Sequence, residues 1–94
     1  MSKKILRYSL AVQGEQQIQM PSGAVVLSAG LTPRGEVSVW ALGDSDDVAT
    51  ARTFYVVGTG AESPLWHEVE RAAFVGTVVQ PAMNAVWHVF QEGS

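Results

Sequence analysis

The chain has no cysteine, and it is short of charge: 16% of its 94 residues are Asp, Glu, Lys or Arg, where roughly 25% is usual. Without cysteine there can be no disulfide, no thiolate metal site and no thiol nucleophile. Lysine occurs only as Lys3 and Lys4, so no lysine follows any glycine-rich turn, as a phosphate-binding loop requires. The net charge is −3, and the basic footprint of non-specific nucleic-acid binding is missing. No apolar run approaches the length of a membrane span. Met1-Ser2-Lys3-Lys4 is basic, but the apolar stretch after it is broken at Arg7 and Tyr8, unlike a signal peptide. The expectation is a soluble, cytoplasmic protein. Helical period is also scarce: no stretch longer than about ten residues keeps it.

Period-2 alternation and short apolar runs are what the chain does contain. Residues 4–12 read as a strand with Leu6, Tyr8, Leu10 and Val12 on one face. Residues 15–20 alternate again, with Ile18 and Met20 inward, so 4–20 is expected to be a hairpin turning at Gln13-Gly14-Glu15. Pro21-Ser22-Gly23 and Thr32-Pro33-Arg34-Gly35 have turn chemistry. Between them, residues 24–29 form a strand buried on both faces or packed in an interface. Residues 36–42 place Val37, Val39 and Ala41 on one face. Residues 51–58 place Arg52, Phe54 and Val56 on one face and Thr53, Tyr55 and Val57 on the other. Residues 61–70 are open between one or two helical turns begun by Ser63-Pro64 and an irregular loop. Strands resume over 71–79 and 85–91, joined by the turn Pro81-Ala82-Met83-Asn84.

About seven strands with turn signals every 8–12 residues predict a single all-β domain over 1–94, an antiparallel sandwich or small barrel. A chain this short buries only roughly 60–65% of its unfolded surface. With no disulfide available, and two histidines too few for a structural zinc site, homo-oligomerisation is the expected support.

Motifs that carry chemistry are thin. Asp44, Asp46 and Asp47 suggest a calcium loop, but the glycine and bidentate glutamate places hold Ala49 and Tyr55. A solvated acidic turn is the better reading. His67 and His88 are the side chains whose type titrates near neutrality. No serine sits in a nucleophile elbow. Gly58-Thr59-Gly60 ends a strand and reads as a tight turn, or as backbone N–H groups presented to an anion. Arg52 lies on the strand feeding that turn, and arginine suits phosphate or carboxylate. Trp40 and Trp87 read as core, and Trp66, in a loop, as the edge of an interface or ligand site.

The blocks Lys4-Ile5-Leu6-Arg7-Tyr8, Val39-Trp40-Ala41-Leu42, Val57-Gly58-Thr59-Gly60, Phe74-Val75-Gly76-Thr77-Val78 and Val86-Trp87-His88-Val89-Phe90 resemble a family of small proteins of unknown function found in bacteriophages and prophages. The resemblance covers nearly the whole chain. It implies a phage-encoded accessory protein and no mechanism.

Two readings of function stand close together. In the first, a non-enzymatic homo-oligomer binds a small anionic ligand, a nucleotide signal of host anti-phage defence, and sequesters it without cleavage. Arg52 would neutralise phosphate, Gly58, Thr59 and Gly60 would donate N–H groups, Trp66 would stack a base, and His88 would complete the site. No cofactor is expected. In the second, the chain is a structural or protein-interaction module: a virion accessory, or an inhibitor of a host protein that adds to a sheet edge. A third, a small hydrolase using His88 or His67 with an acidic partner, has the least support.

Overall fold

Alternating sequence becomes strand throughout the computed structural model, which describes residues 2–12 and 14–93. The strands are β1 (Lys3–Ser9), β2 (Gly14–Pro21), β3 (Val25–Leu31), β4 (Val37–Asp44), β5 (Ala49–Gly58), β6 (Ala73–Gln80) and β7 (Ala85–Gln91). One short helix, α1 (Trp66–Glu70), lies between β5 and β6. The strands form two antiparallel sheets, β1-β4-β3 and β2-β5-β7-β6, both with open edges. The architecture is a sandwich and not a closed barrel.

The expected hairpin over 4–20 does not form. β1 pairs with β4 and β2 with β5, in different sheets. Alternation specifies which face a side chain takes and says nothing of which strand lies alongside. Leu10 N–H donates to the Val37 carbonyl at 2.9 Å, so β1 stays on β4 to its end before the chain crosses over. The crossing is pinned by Gln16, whose side-chain amide accepts from Ala11 N–H and donates to Ala11 carbonyl, both at 2.8 Å. Gly14 takes a φ of 44° there. Of the expected turn, Gln13 lies outside the described residues.

The β3–β4 hairpin closes as its turn residues predict. The Thr32 hydroxyl accepts from Arg34 N–H at 3.2 Å and Glu36 N–H at 3.1 Å. Gly35 adopts φ 81°, a conformation open to glycine. The β6–β7 hairpin turns through one 3₁₀ turn, Pro81–Met83, and a left-handed Asn84.

Leu10, Met20, Val37, Val39, Ala41, Phe54, Val56, Val78 and Val89 fill the space between the sheets. Met20 is on the inward face expected for β2, and Val37, Val39 and Ala41 share one face of β4 as the alternation predicts. The second half of β5, residues 54–57, is buried on both sides, because Tyr55 and Val57 join Val69 of α1 in a second cluster outside the four-stranded sheet. Residues 61–70 therefore hold a helical turn, and it covers one end of that sheet. The helix is only five residues long; the Ser63 hydroxyl accepts from Leu65 N–H at 3.0 Å just before it. β3 is not buried on both faces: Val25 and Leu27 are 58% and 48% exposed.

Candidate functional site

Residues directly opposite in an antiparallel pair share a face. Val57 and Thr77 both lie opposite His88, so all three point to the outer side of the four-stranded sheet, where α1 sits. The turn after β5 carries Thr59 back over this face. Thr59 Oγ1 lies 2.6 Å from His88 Nε2, and Thr77 Oγ1 lies 3.1 Å from His88 Nδ1. Both ring nitrogens are thus held by hydroxyls. A hydroxyl donates or accepts, so each threonine can partner its ring nitrogen in either tautomer.

Around this ring is a cavity of about 340 Å³. Gly58, Thr59 and Gly60 form one wall, Phe90 and His88 another, and Trp66 the rim. Trp66 opens α1 and does not lie in a loop, and it is 44% exposed. The structure thus brings together five of the six residues singled out in the sequence: Gly58, Thr59, Gly60, Trp66 and His88. The sequence neighbours Trp66-His67 and Trp87-His88 are each divided between different surroundings. Trp66 and His88 share the cavity, Trp87 packs on the inner core, and His67 turns to the far side of α1, where its Nε2 is 3.1 Å from Arg71 Nη1.

Arg52 is the exception. It shares the inner face with Phe54 and Val56, opposite to that of Val57 and His88. Six residues of strand also set it about 20 Å from Gly58. Its Nη2 donates to the Ala24 carbonyl at 2.6 Å, tying the start of β3 to β5. It lines a different opening, with Ser22, Thr50 and Glu92. The residues lining the His88 cavity include no charged side chain.

The Gly-Thr-Gly turn is spoken for as well. Thr59 N–H donates to the Val86 carbonyl at 3.0 Å and Ala61 N–H to the Gly58 carbonyl at 3.1 Å. Gly60 has φ 78°, which supplies the turn. A Cβ on Gly58 would come within 3.3 Å of Trp87 Cζ3. These glycines serve the turn and the packing of Trp87; the expected anion cradle is not formed by the Thr59 and Ala61 N–H groups.

Thr77 was missed in the sequence. Its signal lay in the β6–β7 turn: counting back three residues on each side from the Gln80–Ala85 pair reaches Thr77 and His88. Thr59 and His88 stand at the separation of a nucleophile and its base. The group orienting the other ring nitrogen is a hydroxyl, however, where a hydrolytic triad places a carboxylate. Among the described residues no cluster of three His, Asp or Glu side chains could hold a metal ion, and no helix is long and apolar enough to cross a membrane.

A second polar cluster lies across α1. Tyr55, His67, Glu68, Arg71 and Glu92 line a cavity of about 400 Å³. The buried Tyr55 hydroxyl donates to Glu92 Oε1 at 3.5 Å. Burial, then the charges of Glu92, Glu15 and Glu68, push its phenol above the ordinary value.

The chain belongs to a protein family: the model described as domain of unknown function (DUF7352) matches residues 1–94. No curated protein and no solved structure matches it.

Proposed function

We propose that the chain is a non-catalytic, self-associating binding module whose ligand is a small planar heterocycle, of nucleobase type, held between Trp66 and the His88 ring. One observation carries this reading: His88, clamped by Thr59 and Thr77, faces an uncharged cavity rimmed by a half-exposed tryptophan. Its volume is at the lower end of small-molecule sites, which run roughly 300–1,000 Å³. Tryptophan offers a stacking face, and the threonine hydroxyls and imidazole offer donors and acceptors to a ring edge.

A nucleotide signal of host defence fits through its base. Its phosphates find no cation in the lining, so recognition rests on the ring and not on Arg52. In a phage-encoded protein such a site would sequester the signal intact. Titration calorimetry with a nucleobase, its nucleoside and its nucleotide tests this. Similar affinities for the three, lost in Trp66→Ala, are expected. Binding that requires the phosphates and is lost in Arg52→Ala would overturn it, as would turnover of a bound ester abolished in His88→Ala. The alternative, a protein-interaction module, draws on the exposed apolar face of the other sheet.

A further inference from the structure

Among the described residues nothing packs on the outer face of the three-stranded sheet, and its register makes an apolar band. Ile5, Leu42 and Val25 lie side by side across β1, β4 and β3. They are 62%, 37% and 58% exposed. The next row is Arg7, Trp40 and Ser28. Trp40 lies down across Gly30, where a Cβ would meet its Cζ3 at 3.4 Å. Arg7 lies down too, its Nη1 donating to Ser9 Oγ at 2.9 Å and Ser38 Oγ at 3.2 Å. The face is therefore flat, with no side chain standing up to prevent a second sheet from stacking on it.

We infer that this face docks a second copy of the chain, sheet on sheet, about a twofold axis running along β4. Charge selects the axis. An axis across the strands would set Lys3 of one copy on Arg7 of the other. An axis along β4 lays β1, with Lys3 and Arg7, over the partner copy's β3, whose seven residues carry no charge. It also brings Ile5 over Val25 and sets Leu42 and Trp40 against their own copies. At the rim the two Asp44 carboxylates fall between the two Lys3 side chains, their neighbours in register. The strands stay nearly aligned, as stacked sheets require.

The chain exposes 5780 Å², whereas a compact monomer of 10.1 kDa exposes roughly 5,300 Å². Its slab-like extents, 42 × 31 × 15 Å, account for the excess. This inference rests on the self-association in the proposed reading of function; none of the proposed ligand-contacting residues belongs to this face, so ligand binding at the His88 cavity is tested separately from it.

Sedimentation equilibrium over a concentration series is the test, combined with cysteine cross-linking in a chain that has no cysteine of its own. Wild type should pass from monomer to dimer. Leu42→Glu should remain monomeric with an unchanged melting curve; if it misfolds, the more exposed Ile5→Glu carries the same test. With a short bismaleimide, Leu42→Cys should cross-link to itself. Ile5→Cys should cross-link when mixed with Val25→Cys and far less when alone. A wild type monomeric throughout, a dimer that survives the glutamate, or Ile5→Cys cross-linking best to itself would overturn the inference.

Discussion

Arg52 and Ala24 join the two sheets: the guanidinium of one donates to the main-chain carbonyl of the other at 2.6 Å. Arg52 is half-buried and Ala24 is buried, so the bond is partly shielded from water. Replacing Arg52 by Met keeps the stem and deletes the donor. The expected cost is about 1–2 kcal/mol, below the upper range for charged hydrogen bonds because the group is partly solvated. Urea unfolding should show it, and affinity at the His88 cavity should stay within about twofold of wild type, less than 0.5 kcal/mol. Lost affinity at unchanged stability would put Arg52 back in the binding site.

Gly58 and Gly60 should tolerate alanine for different reasons and to different degrees. At Gly58 the added methyl meets Trp87 at 3.3 Å. Trp87 cannot shift freely, because its indole N–H donates to Gln80 Oε1 at 2.9 Å and Gln80 Nε2 donates to the Gly35 carbonyl at 2.9 Å. Overpacking there should cost about 1–3 kcal/mol, and a smaller residue at 87 should partly suppress it, a coupling that a double-mutant cycle reads directly. At Gly60 nothing lies within 4 Å, and the cost comes only from a φ of 78°. It should be about 1–2 kcal/mol and indifferent to changes at 87.

Legibility followed locality. The residues sharing a face in β2, β4 and β5 were readable because alternation fixes them one residue at a time. Five cavity residues were readable because a glycine turn, a tryptophan and a histidine are each marked by residue type, although Trp66 lies at the start of α1 and not in the expected loop. Pairing was not: β1 and β2 look like a hairpin until Leu10 bonds to Val37 and Gln16 takes hold of Ala11. Arg52 was misplaced against a signal already in hand. Its parity with Phe54 and Val56 put it on the face opposite Val57, and a strand passes a side chain to the other face only at a bulge. The exposure of Val25 and Leu27 could not be read, since a β-branched run reads alike whether it lies in a core or on an open face.

Asp44 should govern part of the acid limb of stability. Its Oδ1 accepts from Asp46 N–H at 2.9 Å and from Ser2 N–H at 3.1 Å. These bonds, with the charge of Lys3, hold its carboxyl below the ordinary value of 3.8. The unfolded chain takes up this proton first as pH falls. The stabilisation is therefore complete above about pH 4 and is lost as pH drops through the folded value. Asp44→Asn keeps an oxygen to accept both bonds but cannot titrate. Its stability–pH curve should run below wild type at neutrality, stay flatter below about pH 4, and approach wild type in acid.

Tyr55 should act at the other end of the pH scale. Burial raises its phenol above 10.0, and the carboxylates of Glu92, Glu15 and Glu68 add to the shift. Folded protein then keeps the proton where unfolded chain gives it up. Below about pH 10 both states are protonated and the group is silent. Above it the unfolded state ionises first, so stability falls as pH rises towards and through the folded value. Tyr55→Phe removes the proton and should flatten that fall. At neutral pH it gives up only the long 3.5 Å contact to Glu92, while the ring keeps its packing on Val57 and Val69, so wild type and variant should be nearly equal there. Urea midpoints measured from pH 7 to 11 decide it: curves that coincide at pH 7 and diverge above pH 10 are expected, and parallel curves would mean that the phenol is solvated in the folded state.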